Sequence, residues 1–174
     1  MNPLILLIKF KTIFPNIVLF VQNNYLLEKI IMTTLKDLLK DKRLLFVKSG
    51  MNVFDVVKFM DLHNIGAVPV LGEKNVMKGI FSERDLLRKC ITRDLDLKTT
   101  LVDDVMTKDV FVIESSDTIE YCMQIMKQKN IRHIPVIEGD NLAGFLSIRD
   151  LMLFDMKLKD EKIETLNAYI QYNG

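Results

Sequence analysis

This chain of 174 residues offers little metal-binding or nucleophilic chemistry, with only two cysteines and two histidines. Cys90 and Cys122 form no Cys-x-x-Cys pair, and His63 and His133 lie far apart in the sequence. No zinc cluster of neighbouring His and Cys ligands can be drawn from them, so no metal is expected. Nothing in their spacing favours a nucleophile and base pair. Each cysteine has apolar neighbours in a helical segment, which reads as a buried, reduced thiol and fits a reducing compartment. No Gly-x-Gly-x-x-Gly run and no phosphate-loop lysine motif occurs. The charge balance, 24 basic against 23 acidic residues, excludes the basic footprint of a nucleic-acid binder. No uninterrupted apolar run reaches the roughly 18 residues that a membrane span needs.

What remains is ordinary globular composition, 49% hydrophobic and 27% charged. The ten methionines fall mostly at helical core spacing, where adaptable packing is their usual use. Residues 1–32 stand apart as an apolar segment broken by Lys9, Lys11, Pro15 and Asn16. Three readings are open for it. It is a signal or anchor with a short apolar core, an organelle-targeting presequence that lacks arginine, or upstream sequence outside the working protein. Met32-Thr33-Thr34-Leu35 resembles a natural start, which favours the last. No function is placed on this segment.

The strongest signal is an internal duplication at an offset of about 66 residues. GAVPVLGEKNVMKGIFSERD ends at Asp85, and RHIPVIEGDNLAGFLSIRD ends at Asp150. Val53 corresponds to Ile119, Met60 to Met126 and Pro69 to Pro135. One residue is lost in the turn, so Gly79 corresponds to Gly144, Ser82 to Ser147 and Asp85 to Asp150. Two similar units packed together, with a cleft between them, are the expectation.

Each unit reads as strand, helix, strand, strand, helix. Leu35–Leu39 and Leu101–Met106 make short opening helices. Strands are expected at Leu44–Val47 and Val110–Ile113. Helices follow, with stripes Val53, Val56, Val57, Met60 and Ile119, Cys122, Met123, Met126. Asn52 is the expected N-cap of the first, and Ser116 or Asp117 of the second. Ala67–Val70 and His133–Ile137 are apolar strands. Turns at Gly72–Asn75 and Glu138–Asn141 lead into Met77–Phe81 and Leu142–Leu146. These apolar runs suit a sheet covered on both faces. A short helix, Glu83 to about Cys90, ends the first unit. The second ends in a longer helix with Leu151, Phe154, Leu158, Leu166 and Ile170 near one face. Its far end has no counterpart in the first unit, so a partner subunit is expected to cover it.

The two Pro-Val strands and the paired Gly-hydrophobic-hydrophobic-Ser-x-x-Asp endings, in register twice, resemble a tandem pair of CBS (cystathionine-beta-synthase) domains. Asp104-Val105-Met106-Thr107 resembles the opening of a second CBS repeat, and Ile131-Arg132-His133-Ile134-Pro135-Val136 the basic approach to its second strand. The layout is similar to stand-alone CBS-pair proteins of bacteria and mitochondria. The boundaries expected are repeat one at 33–91, a linker at 92–100, repeat two at 101–155 and a C-terminal helical extension at 156–174. The resemblance implies an α/β fold of two βαββα repeats about a pseudo-twofold axis. It further implies an adenosine-containing ligand, AMP or ATP, in a cleft between the repeats, and a homodimer.

The Ser-x-x-Asp endings have a plain structural role. Serine is a preferred N-cap, and aspartate in the first turn suits the helix dipole. A carboxylate at such a helix start can also accept hydrogen bonds from both ribose hydroxyls, and free backbone N–H groups there suit a phosphate. In the family, Ser147 and Asp150, and Ser82 and Asp85, would play that part. Arg132 and His133 stand where repeat one has only Gly66 and Ala67, and by family position they would neutralise phosphate. Histidine would add charge only below about pH 6.5 unless a phosphate raises its pKa. The expectation is one strong site around Asp150 and a weaker one around Asp85. The base would use Val110, Phe111 and Val112, or Phe46 and Val47 in the other copy, residues that core packing explains equally well.

The reading is a non-catalytic regulatory or sensor module of the cytoplasm, or of an organelle or membrane if residues 1–31 are a genuine targeting segment. It would bind an adenine nucleotide and regulate an enzyme or transporter in trans. Two rivals stand beside it. One is an interaction module whose cleft is filled by its own side chains. The other is a nucleotide-processing enzyme.

Overall fold

The computed structural model of the protein describes residues 34–173. The expectations for residues 1–31 lie outside these. The chain divides into one unit, Thr34–Leu151, and a second that includes the helix from Met152 onward.

Within Thr34–Leu151 the duplication becomes two three-stranded sheets. In the first repeat, helix α1 (Leu35–Leu39) precedes β1 (Val47–Lys48), α2 (Val53–Leu62), β2 (Ala67–Leu71) and β3 (Met77–Ser82). α3 (Glu83–Asp85) follows, then a π-helical turn over Leu86–Cys90 and a 3-10 turn over Ile91–Arg93. The second repeat runs α4 (Val102–Val105), β4 (Ile113–Glu114), α5 (Ile119–Lys129), β5 (His133–Glu138), β6 (Asn141–Ser147) and α6 (Ile148–Asn173). Each central strand pairs in parallel with the short first strand and antiparallel with the third. A parallel pair needs a crossover helix, which α2 and α5 supply. The βαββα order expected from the sequence is therefore present twice.

The first strands are shorter than expected. β1 begins only at Val47 and β4 only at Ile113, the last residues of the apolar runs. Phe111 and Val112 belong to neither strand and are half exposed. Their apolarity serves something other than sheet burial. The expected two-sided cover holds for β2, buried along its whole length, but β3 and β6 alternate. The expected cap of α5 is corrected too. Thr118 caps it by accepting from the Tyr121 amide, while Asp117 accepts from the Glu114 amide in the preceding turn. Asn52 caps α2 as expected.

The opening helix of each repeat packs on the other repeat. Val102, Val105 and Met106 complete the core of repeat one, beside Val47, Val53, Val56, Val68, Val70 and Phe81. The Val102 amide donates to the Met51 carbonyl, and the Val53 amide to the Thr100 carbonyl, both at 2.9 Å. In return the Leu35 and Lys36 amides donate to the carbonyls of Asp117 and Ser115, also at 2.9 Å. Leu35 is fully buried. Thr107 continues the exchange by pairing with Ile80 on the free edge of β3, through bonds of 2.8 and 2.9 Å.

This exchange explains the two corresponding glycines. A Cβ on Gly79 would lie 2.5 Å from the Thr107 carbonyl oxygen, and one on Gly144 would lie 2.2 Å from a methyl of Leu39. Backbone cannot yield at the first position, whereas the Leu39 side chain can turn away at the second. Both buried cysteines are free. Burial, with help from Asp117, pushes the Cys122 thiol up to about 11. Beyond Leu151, α6 carries an ion pair between Lys159 and Asp155 at 2.6 Å and exposes Met152, Leu153, Met156, Ile163 and Ile170. The side chain of Leu166, in the stripe expected there, lies outside the described residues. Among the described residues no helix is long and apolar enough to cross a membrane.

Gly79→Ala is expected to lower stability by about 1–3 kcal/mol, the usual cost of overpacking. Gly144→Ala is expected to cost less. Urea unfolding of the two variants beside the parent chain measures the difference.

Candidate functional site

β2 and β3 bring Ala67 and Ser82 side by side, and β5 and β6 do the same for His133 and Ser147. Each repeat thus presents the start of its central strand next to the start of its last helix. Two further bonds tighten these corners. The Glu83 amide donates to the Gly66 carbonyl at 3.0 Å, and the Ile148 amide to the Arg132 carbonyl at 2.8 Å.

The serine and aspartate of each ending form a closed capping box. In repeat one the Ser82 hydroxyl and amide donate to Asp85 Oδ2 at 2.6 and 3.0 Å, and the Asp85 amide donates back to Ser82 Oγ at 3.3 Å. In repeat two the Ser147 hydroxyl and amide reach Asp150 Oδ2 at 2.6 and 2.7 Å, and the return bond is 3.3 Å. Such reciprocal capping satisfies two helix-end donors at once.

A cavity of about 210 Å³ lies between the repeats. Repeat one contributes Ser82, Arg84 and Asp85 to its walls. Repeat two contributes Thr107, Phe111, Arg132 and His133. Of the residues expected from the sequence, Ser82, Asp85, Phe111, Arg132 and His133 are brought together here. Ser147, Asp150, Val47 and Val112 do not line it. Arg132 and His133 touch the Asp150 corner through backbone pairing, yet the cavity they line is the one at Asp85. Sequence register links a residue to its own repeat's helix start, but it carries no information about which neighbouring repeat closes the cleft.

Asp85 is nearly buried. Its other oxygen, Oδ1, accepts from the Thr107 hydroxyl at 2.9 Å and pairs with the Lys89 ammonium at 2.8 Å. Lys89 also reaches the Thr107 hydroxyl at 3.0 Å. Lys89 lies on the π-helical turn that follows Asp85. Thr107, Lys89 and Arg84 are not among the site residues expected from the sequence. The repeat-opening motif around Thr107 was a signal for the first. Lys89 has no counterpart in the duplication, since Phe154 stands at its place, and Arg84, matched by Arg149, lies between capping residues that drew the reading instead.

The Asp150 corner is closed differently. Lys42, from the segment before β1, forms an ion pair with Asp150 Oδ2. Burial pushes the Asp150 carboxyl up, but the Lys42 ammonium and the Ser147 donors outweigh it and leave it below the usual range. No periodicity pointed to Lys42, because the contact crosses from one repeat to the other.

His133 stacks face to face on Phe145, with ring centroids 5.8 Å apart. Burial and then the neighbouring Arg132 guanidinium push its pKa below 6.5, against the opposing pull of Asp150 and Glu83. His133 is therefore neutral at pH 7, and the fixed cations at the cavity are Arg132 and Arg84. Phe111 is half exposed, with the Lys129 ammonium 4.6 Å from its ring centre. Among the described residues no group of three His, Cys, Asp or Glu side chains converges as a metal site.

The CBS domain model matches residues 34–91 and 102–157. The chain belongs to the CBS domain family. It is 36% identical over 149 residues to the CBS domain-containing protein CBSX3, mitochondrial, of Arabidopsis thaliana, covering 80% of this chain and 72% of that one. Among solved structures it resembles a putative signal-transduction protein with CBS domains from Burkholderia ambifaria. That match has a TM-score of 0.65 at 34% identity and covers 69% of this chain and 91% of that one. The structure of CBSX2 in complex with AMP shares the fold, with a TM-score of 0.61 at 22% identity, over 72% of this chain and 98% of that one.

Since native His133 takes up its proton at lower pH than an unfolded histidine, the unfolded state binds more protons in the window below about pH 6.5. Stability is expected to fall as the pH drops from 7 to 5. The loss is expected to be smaller in His133→Asn, and thermal unfolding of both chains across that range measures it.

Proposed function

We propose that this CBS pair is a non-catalytic regulatory module that binds an adenine nucleotide in the cavity between its repeats. The observation that carries the reading is the convergence on one cavity of a capped carboxylate, Asp85, a guanidinium, Arg132, and a half-exposed aromatic ring, Phe111. Each matches one part of the ligand. Asp85 Oδ1 can exchange the Thr107 hydroxyl for a ribose hydroxyl without leaving its box with Ser82. Arg132 and Arg84 offer charge-assisted bonds to a phosphate. Phe111 and Val110 offer an apolar surface to the base. The AMP bound by CBSX2 supports the choice of an adenosine ligand.

The volume bears on how the ligand sits. About 210 Å³ is below the roughly 300–1,000 Å³ of most small-molecule pockets. The base and ribose would fill it and leave the phosphate at its mouth, near the arginines. Ser147 and Asp150 form the corresponding corner of a second, weaker site, with Val47 and Val112 near the two strand starts.

Regulation would follow from the construction of the cleft. A ligand shifts an equilibrium only by its differential affinity for the two states. Here the walls come from both repeats, so a nucleotide favours the closed arrangement of the pair. The exposed methionines and leucine of α6, Met152, Leu153 and Met156, support a second copy of the chain as their cover, giving a homodimer. The buried free thiols suit a reducing compartment such as the cytoplasm. The regulated enzyme or transporter would be a separate chain.

Thermal unfolding with and without AMP tests the binding. At about 100 times the dissociation constant, AMP is expected to add roughly 2.7 kcal/mol of stability. Asp85→Asn and Arg132→Ala are each expected to remove most of that gain while leaving the unliganded protein folded. An AMP effect that survives both substitutions would contradict the assignment of the cavity.

A further inference from the structure

The two repeats carry hairpin ends of opposite charge. β2 and β3 pair Ala67 with Ser82 at the cavity between the repeats, and Leu71 with Met77 at their far end. An open groove of about 660 Å³ lies at that far end, walled by Lys48, Lys74, Lys78 and Glu73, with Leu71 and Val76 as its apolar part. Among the described residues none of the three lysines pairs with a carboxylate. Two neutral groups hold the Lys48 ammonium instead, the Asn75 side-chain oxygen at 2.8 Å and the Phe46 ring at 5.0 Å. The stem of Lys78 lies across Gly72, where a Cβ would come within 2.6 Å of its Cε. Lys74 has the left-handed backbone that suits glycine, with φ 54°, and the turn of repeat two gives that conformation to Gly139. The turn gains nothing from a lysine there, whereas the groove gains a charge.

The corresponding end of repeat two inverts the sign. Lys48 and Glu114 hold the same register position, beside Leu71 and Ile137. The turn between β5 and β6 carries Glu138 and Asp140 in place of Gly72 and Lys74, and Ala143 stands in place of Lys78. Glu114, Glu138 and Asp140 are all exposed, and among the described residues only Glu138 of the three pairs with a cation, Lys36.

We propose that the lysine groove of repeat one receives the acidic hairpin end of repeat two from a second copy of this chain. Every copy that offers the groove also offers its complement, on the same scaffold and with the charges reversed. The contact joins unlike surfaces, uses no residue of α6 and does not rest on the nucleotide reading. A contact confined to two hairpin ends belongs with the weak encounters that bury less than about 1,200 Å². Exposed ion pairs contribute little singly. The association is therefore transient, and its strength follows ionic strength and the combined action of several charges.

Sedimentation equilibrium of the full chain tests this, with substitutions that exchange the signs. The parent chain is expected to associate at about 0.01 M sodium chloride and to lose that association at about 1 M, as the screening length falls from about 30 Å to about 3 Å. Lys48→Glu with Lys74→Glu, and separately Glu114→Lys with Asp140→Lys, are each expected to weaken it by about tenfold or more at low salt. Mixing these two variants is expected to restore it, because the first is acidic at both ends and the second basic at both ends. Restoration also shows that both variants fold. The milder pair Lys48→Gln with Lys74→Gln is expected to weaken the association by less, without adding repulsion. An association of the parent chain that salt does not change, or a mixture that stays as weak as its components, would overturn the proposal. So would a loss on changing the lysines with none on changing Glu114 and Asp140, which would assign the groove to a different anion. Association through α6 is told apart by its persistence in every variant and at high salt.

Discussion

Each repeat of this protein is completed by the opening segment of the other, and the remaining features depend on that exchange. α4 closes the core of repeat one, and α1 seals repeat two. Without α4 the buried faces of Phe81, Val68 and Val70 would lose part of their cover, and burial of such side chains is worth about 1.5–3 kcal/mol each. Thr107, one residue past the last core contact of that segment, is then carried onto the edge of β3 and into reach of Asp85. The segment after α1 likewise delivers Lys42 to Asp150. The contacts that hold the repeats together therefore also furnish the walls of the cleft.

The same exchange produces two unlike corners from two like sequences. Both aspartates sit in the same box with serine, and both need a cation nearby because burial penalises a bare carboxylate. Repeat one meets that need from within, through Lys89, and keeps an open cavity beside the pair. Repeat two meets it from across the junction, through Lys42. A duplicated fold does not impose duplicated chemistry: Gly66 and Arg132, which correspond in the two copies, both line the one cavity, and the cation beside Asp85, Lys89, has the uncharged Phe154 as its counterpart in the sequence.

Much of the fold was legible because it is local. The corresponding Val-Pro-Val and Ile-Pro-Val strands, the stripes of α2 and α5 and the Ser-x-x-Asp caps all express the period or chemistry of one element. The family followed from their repetition in register. The ends of elements were harder. Phe111 and Val112 read as strand because they are apolar, yet both lie outside β4 and are half exposed, and Phe111 lines the cavity. Thr118 took the cap expected of Ser116 or Asp117, and the Asp117 carboxylate is spent in the turn, where it accepts from the Glu114 amide. The cross-repeat contacts of Thr107 and Lys42, and the meeting of Arg132 with Asp85, left no trace in spacing. They arise only when two similar bodies are docked.

The most direct measurement is amide hydrogen exchange at Ile80 and Thr107, the bridge between the repeats, with and without AMP. If ligand binding and the segment exchange are one device, AMP slows exchange at both amides and at the start of β5 together. Protection confined to a single repeat, or no change at the Ile80–Thr107 bridge while AMP binds, would contradict the account.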